Sequence, residues 1–459
     1  MSVNKKQKIF EGFDPFSKAA WIDLIMKDLN ENKTMDWSSE EEIEIAPFYT
    51  KEDVAGMLPL KLPTQTKEWK YLELLDVYDN KKSNKTALDA LQNGADGLII
   101  NLEGENEIIF PKLFENILPE HCIISFKTKA VKAHYLNDYF KFIDSSGSAP
   151  SIIEGSLYLD PIAAWTLNPT QKSPDFQSVF EILNLSKAFK NFHCFSVTTD
   201  VYKNSGASII QEAALFICSF IQYVKEFSKQ GIDVETIFQK VSFHTSIGTN
   251  FFHEIAKIRA LKSLTSQIAA SYKIKNFAAG EIPIHGETGW WTKTAKDPHS
   301  NILRNTTEAM SGILGGCSTI SILPFDVVFG DHNELSRRVA RNISNILKEE
   351  AYFNKVPGAV SGSYYLENLT YKMLDKIWLQ VQEIESEGGF INAFNNGYIK
   401  SIVEPNYRKS VESVLKASKK VVGSNAYINQ YDKDTIRNLP ATNKGWFEYD
   451  RLTAALENQ

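Results

Sequence analysis

The sequence predicts an α/β chain built on a closed parallel (β/α)8 TIM barrel, with a helical arm before it and a helical extension after it. Three observations carry this. Eight short strand-like runs recur between Trp69 and Leu323, and helical patterns lie between them. The stretch His285–Asp326 contains a strand, a polar loop, a helix and a buried strand in immediate succession, which is one parallel β/α unit. No G-x-G-x-x-G loop follows a first strand, which disfavours a doubly wound dinucleotide fold. The expected boundaries are an arm over residues 1–62, a barrel over 63–366 and the extension over 367–459.

Taken in order, Asp14 and Pro15 predict the start of a helix that runs to Leu29, with Ile22, Ile25, Met26 and Leu29 along one face. The polar stretch Asn30–Glu42 breaks it, and an irregular segment with Pro47, Pro59 and Pro63 follows. A helix on a long tether must bury its apolar face, against its own barrel or against a partner subunit. Strands are expected at Trp69–Val77, Gly97–Asn101, Cys122–Phe126, Glu154–Leu159, Phe192–Thr198, Lys240–His244, Glu281–His285 and Cys317–Leu323. The clearest helices are Ser208–Phe227, Asn250–Ile268, Asp297–Leu314 and Asp331–Glu350. The last opens with Asp331 and Glu334 at capping spacing and carries Leu335, Val339, Ile343 and Ile346. A long helix over Asn368–Glu387 ends at Gly388-Gly389, and a lysine-rich, mostly helical remainder follows.

Composition narrows the function. With 43% hydrophobic and 23% charged residues among 459, the chain can bury a large core and is not disordered. A net charge of −6 offers no footprint for nucleic acid or acidic lipid. The N-terminus has basic residues without an apolar segment, and the most apolar run, Ala213–Ile221, is too short for a membrane span. Four widely spaced cysteines, Cys122, Cys194, Cys218 and Cys317, suit buried thiols in a reducing cytoplasm.

The polar loop after the seventh strand is the first place to look for chemistry, because ligands bind at the carboxyl ends of barrel strands. His285, Glu287, Trp290 and Trp291 lie there. His244 and His285 each end an expected strand, and Asp160 and Asp200 follow one. His285 with Glu287 could aim a donor at a thioester carbonyl; the plainer reading of such residues is loop hydrogen bonding. The tandem tryptophans suit a flat ligand or ordinary packing. Metal binding is not expected, because the histidines never form H-E-x-x-H, and His253-Glu254 lacks the second histidine. Asp297 and Pro298 read as a helix start whose face is Ile302, Thr306, Ala309, Met310 and Ile313, stopped by Gly315-Gly316.

The same stretch resembles the adenosylcobalamin-dependent acyl-CoA mutases, above all the methylmalonyl-CoA mutase family. The matches to H-x-Q-T-S-G-W, T-A-x-D-P, N-N-x-x-R-T, E-A-M and G-G are His285, Trp291, Thr294-Ala295, Asp297-Pro298, Asn301, Arg304, Thr306, Glu308-Ala309-Met310 and Gly315-Gly316. The likeness continues in Trp21, Trp37 and Ile43 to Tyr49-Thr50, in Tyr202, Gly206-Ala207 and Gln211-Glu212, and in Phe251-Phe252, Glu254-Ile255-Ala256-Lys257 and Arg259-Ala260. Leu335–Ala351 and Gly362–Thr370 match the family's R-I-A-R-N and G-G-S-Y-Y-x-E-x-L-T motifs, so it covers nearly the whole chain.

The departures fall on the chemistry. Where the family's first barrel strand reads R-P-W-T-I-R-Q-Y, this one reads Lys67-Glu68-Trp69-Lys70-Tyr71-Leu72-Glu73-Leu74, with Leu72 and Leu74 in the arginine and tyrosine places. Tyr158 replaces the glutamine of G-T-x-Q-N-D, and Glu287 replaces that of H-x-Q. His299 follows Asp297-Pro298 as in the start of D-x-H-x-x-G, but Ile302 ends the match to that corrinoid motif. The Leu159-Asp160-Pro161 version resembles the small, non-catalytic subunits of heterodimeric methylmalonyl-CoA mutases, and no corrinoid-binding domain is recognisable. The resemblance implies that a large catalytic subunit binds adenosylcobalamin and interconverts methylmalonyl-CoA and succinyl-CoA. This chain, with no cofactor, catalytic residue or metal of its own, would stabilise that partner, and self-associate when alone. His285, Glu287 and His244 would line a vestigial substrate pocket. The alternative is an independent homodimeric acyl-CoA isomerase or lyase, or an acyl-CoA-binding scaffold.

Overall fold

The computed structural model describes residues 16–29, 36–57, 68–104, 106–129, 133–168, 170–274, 277, 282–330, 332–356, 358–429, 443–444 and 448–457. Its centre is a ring of parallel strands: β1 (Lys70–Asp76), β2 (Gly97–Asn101), β3 (Ile123–Lys127), β4 (Gly155–Tyr158), β5 (Phe192–His193 and Phe195–Thr198), β6 (Val241–Ile247), β7 (Ile284–Thr288) and β8 (Thr319–Ser321). The two pieces of β5 close it. Phe192–His193 pairs with β4 and Phe195–Thr198 pairs with β6, so nine ladder segments make eight barrel strands. At the break, the Cys194 N–H donates to the Lys240 carbonyl at 2.7 Å, and Ser196 N–H continues the seam onto Leu159 O at 2.9 Å.

Alternation sorts the strand residues between two cores. Tyr71, Leu75, Leu98, Ile100, Ile124, Phe126, Leu157, Phe195, Val197, Phe243, Ile284 and Ile320 face the helices and join one large apolar cluster. Leu72, Ile99 and Tyr158, with Leu74 and Ile123, form a separate cluster inside the ring. Close strand contact needs a missing side chain at Gly155, where a Cβ would meet Ile124 O at 1.9 Å.

The helices expected from periodicity are present as Ile209–Lys229, Phe251–Ser271, Ser300–Gly315, Glu334–Glu349 and Tyr364–Ser386. Ser208 and Asn250 stand at the N-caps of the first two, as expected, while the starts of the others differ. Asp297 does not cap: its backbone takes φ 48°, its side chain receives the Ser300 hydroxyl, and the helix begins at Ser300. The stop is as expected, with Gly316 at φ 97°. Asn333, not the Asp331/Glu334 pair, caps the next helix by accepting from Ser336 N–H at 2.9 Å; Asp331 lies outside the described residues. Of its expected apolar face Ile343 is buried in the main core, but Leu335 and Ile346 are 60% and 49% exposed; the buried face is Ser336, Ala340, Arg341, Ile343, Ser344 and Leu347. Arg341 binds Glu73 at 2.7 Å and Ser344 receives the Trp69 indole at 3.0 Å.

Buried charge joins the helices behind β6. Lys257 lies 2.8 Å from Glu212, 2.6 Å from Glu254 and 2.7 Å from the Ser246 carbonyl, and Lys203 lies 3.6 Å from Glu212 and 3.4 Å from Glu254. Two lysines balance two glutamates. Removing one partner from such a cluster costs about 3–5 kcal/mol, because the remaining charges stay buried.

The arm helix spans Lys18–Asp28 with Ser17 as its cap; Asp14 and Pro15, its expected start, lie outside the described residues, as do Pro59 and Pro63. None of its side chains is buried. Ile22, Ile25, Met26 and Leu29 are partly covered, Leu24 is 55% exposed, and Trp21 rests edge-on against Phe48 at 4.2 Å. Beyond the helix the chain is better anchored: Ile43 is in the main core, and Glu41 accepts from the N–H groups of Ile209 and Ile210 at 2.9 and 3.1 Å. At the other end, Leu452 N–H donates to Trp291 O at 3.0 Å and Glu457 accepts from Ala295 N–H at 2.8 Å. Among the described residues, no helix is long and apolar enough to cross a membrane.

Candidate functional site

The inward positions of the eight strands make the site. Beside the apolar Leu72, Leu74, Ile99 and Tyr158 stand Asn101, Ser125, Lys127, Ser196, Thr198, Ser242, His244, Ser246, His285, Glu287, Thr319 and Ser321, all on the lumen parity. His244 and His285 do not end their strands. They are paired neighbours within β6 and β7, and Glu287 follows His285 on the same face, because both strands run three residues further than their sequence patterns indicate. The extra strand residues are Thr245–Ile247 and Gly286–Thr288, in which Thr245, Ser246, Gly286, Glu287 and Thr288 resemble loop sequence.

Tyr158 reaches across from β4. Its ring stacks on His285 at 4.9 Å and lies 5.4 Å from His244, and the two imidazoles are 5.1 Å apart. His285 Nδ1 is 2.9 Å from Thr319 Oγ1. Burial holds both imidazoles well below their usual pKa, so both are neutral near pH 7. Burial also pushes the Tyr158 phenol up to about 12. Glu287 binds Lys127 Nζ through both oxygens at 3.1 Å. Burial would lower the lysine's pKa, but Glu287 and Asp200 together raise it.

The structure thus joins His244, His285, Glu287 and the substituted position Tyr158, and places Leu72 and Leu74 in the same lumen. Sequence reading missed Lys127 and Thr319. The available signal was Lys127 standing two residues after Ser125, on the polar parity of an otherwise apolar run. Of the two aspartates after strands, Asp200 belongs to the lumen mouth, where burial raises its pKa and Lys127 opposes that. Asp160 instead faces the helices, accepting from the Tyr223 hydroxyl at 2.6 Å, Thr198 N–H at 2.8 Å and Ala163 N–H at 3.0 Å.

The remaining motif residues build scaffold. Trp291 packs against Tyr407, Val414 and Leu452. Asn301 holds Thr294 and Phe325 O, Arg304 reaches Thr294 Oγ1 at 3.0 Å, and Glu308 accepts from Gly289 N–H at 3.1 Å and Thr292 Oγ1 at 2.7 Å. They fix the loop after β7 without entering the lumen. His299 packs against Phe325 with ring centroids 5.0 Å apart. His253, with both ring nitrogens buried and unpartnered, is on an adjoining helix. The cysteines are free thiols, three of them buried.

A closed parallel barrel with a polar, histidine-bearing lumen, and an outer core continued by long helices, defines this chain as a TIM-barrel protein. The family model for methylmalonyl-CoA mutase matches residues 109–452, and the chain belongs to that family. It is 29% identical to the methylmalonyl-CoA mutase small subunit of Porphyromonas gingivalis, over 99% of this chain and 79% of that one. It is 25% identical to the large subunit of the same organism, over 85% of this chain and 61% of that protein. The methylmalonyl-CoA mutase of Rhizobium meliloti is likewise 25% identical, over 89% of this chain and 63% of its own length. The chain therefore spans less than two thirds of the last two relatives and most of the small subunit.

Proposed function

We propose that this chain is the small, non-catalytic subunit of a methylmalonyl-CoA mutase, supporting a longer catalytic partner. The observation that carries this is the content of the lumen. Leu72, Leu74, Ile99 and Tyr158 occupy the inward positions of β1, β2 and β4 as one apolar cluster, where a mutase requires donors for a thioester carbonyl and a carboxylate. The Glu287 carboxylate, paired with Lys127, accepts hydrogen bonds and repels a carboxylate substrate, which a neutral amide in the same place does not.

In this reading adenosylcobalamin is held by the partner and supplies the radical that rearranges methylmalonyl-CoA and succinyl-CoA. With its imidazole against Phe325, His299 is assigned no cobalt. The contribution of the present chain is interface and stability in a cytoplasmic complex, and its lumen is a substrate pocket that has lost its chemistry. The small and large subunits of Porphyromonas gingivalis, both similar to this chain, support a partner of the large-subunit kind.

The test is turnover. The purified chain supplied with adenosylcobalamin and methylmalonyl-CoA is expected to form no succinyl-CoA, and activity is expected to return when the longer homologue is co-expressed with it. Isomerisation by the lone chain overturns the assignment and favours an independent isomerase using His285.

A further inference from the structure

We propose that His244, His285 and Glu287 form a binding site for one divalent first-row metal ion, of the zinc type, inside the barrel. The three residues lie on adjacent strands at matching height, His285 opposite His244 and Glu287 two residues along the same face. One donor atom from each falls within 4.8 Å of the other two. An ion with bonds of roughly 2.1 Å holds tetrahedral ligands about 3.4 Å apart, so small side-chain rotations complete the triangle.

Burial is the second observation, and it is independent of spacing. His244 is 3% and His285 2% exposed, and the Nε2 atom of each has no hydrogen-bond partner. A buried polar atom left unsatisfied costs about 1–3 kcal/mol, and two side by side point to a missing common partner. Ring packing with Tyr158 accounts for the faces of the imidazoles and leaves these nitrogens unexplained.

The surroundings favour a cation. Nδ1 of His285 lies 2.9 Å from Thr319 Oγ1; in the tautomer where Nδ1 donates to that hydroxyl Nε2 is bare, the arrangement that orients histidine ligands in metal sites. Lys127 on Glu287 supplies a comparable contact to the carboxylate, and Asp200 and Asp76, both close enough to act on Lys127, offset its positive charge. Two neutral imidazoles and one carboxylate select zinc, cobalt or iron over magnesium and calcium, and three protein ligands leave a position for water. Lys127, whose side chain is about a third exposed, connects the site to solvent. No local motif announces this site, because its ligands come from two strands some forty residues apart in sequence and become neighbours only through barrel register.

The experiment uses the full chain stripped with chelator and titrated with zinc alone, then with cobalt for its absorption bands. One equivalent is expected to bind, to raise the melting temperature and, as cobalt, to give the visible spectrum of a low-coordinate nitrogen and oxygen site. His244→Gln, His285→Gln and Glu287→Gln are each expected to weaken binding by 100-fold or more, and Thr319→Val, which keeps all three ligands, by about 10- to 100-fold. Circular dichroism reports which variants fold, and Glu287→Gln and Thr319→Val decide the matter if a histidine variant does not. Absence of stoichiometric binding to the native chain overturns the proposal. Binding that survives unchanged in the folded variants also overturns it, since the ion then sits elsewhere. Either failure leaves the subunit assignment standing, because that is read from turnover.

Discussion

At the scale of single residues, identical positions relative to a strand end led to opposite roles. Asp160 and Asp200 both follow strand runs, yet Asp200 looks into the lumen mouth and Asp160 fastens β4, β5 and the helix bearing Tyr223. Burial pushes the Asp160 carboxyl up to about 6 from 3.8, with its hydrogen bonds pulling it back. Between these two values the folded chain keeps a proton that the unfolded chain has released. Stability from this residue is therefore complete below about pH 4 and falls as pH rises through 6, by about 3 kcal/mol. Denaturant melts at pH 4 and pH 7 are expected to show that fall in the native chain and not in Asp160→Asn. Parallel profiles for the two proteins would mean that the Asp160 carboxyl has the same pKa in the folded and unfolded chain. In the sequence, Asp160 was visible as a polar residue at an edge; its direction was not, because one step of strand parity separates lumen from outer core.

Among the α-helices described, the arm helix is the one with no buried side chain. Its apolar side chains are only partly covered and Leu24 faces solvent, whereas burying one such side chain contributes roughly 1.5–3 kcal/mol. Deleting residues 1–29 removes the helix and leaves Glu41 and Ile43, which anchor the chain to the barrel. Loss of stable co-elution with the large subunit is expected, with the melting temperature of the isolated chain little changed. Full association of the truncated chain would show that the partner does not cover this helix. Helix existence was legible from 3.6-residue periodicity, while several starts were not: Asn333 rather than Asp331 caps its helix, and Asp297 forms a turn before Ser300. Closely spaced Asp, Asn and Ser residues compete for the same cap, and the winner depends on how the preceding loop crosses the barrel rim.

For the whole molecule, the decisive property is that the ring is filled. Leu72, Leu74, Ile99 and Tyr158 take one side of the lumen, and the two histidines, Lys127 and Glu287 take the other. Among the described residues neither half offers an unpaired cation for an acyl-CoA carboxylate, since Lys127 is bound to Glu287 and both imidazoles are neutral. Succinyl-CoA and methylmalonyl-CoA are accordingly expected to leave the melting temperature of the isolated chain unchanged at millimolar concentration. A clear stabilisation, lost in Glu287→Gln or altered by it, would establish a working pocket in this chain.

By itself the sequence determined the barrel, its eight strands and the family, since strand and helix periods are local and the mutase motifs are contiguous. It also showed which positions depart from the catalytic pattern, because each departure is a side chain replaced in a recognisable run. The tertiary structure decided what those side chains meet. His244 and His285 become neighbours through strand register, Lys127 reaches Glu287 across the ring, and Asn301, Arg304 and Glu308 turn out to hold a loop. Closing a parallel sheet on itself brings distant residues to one level, and no local pattern records that distance.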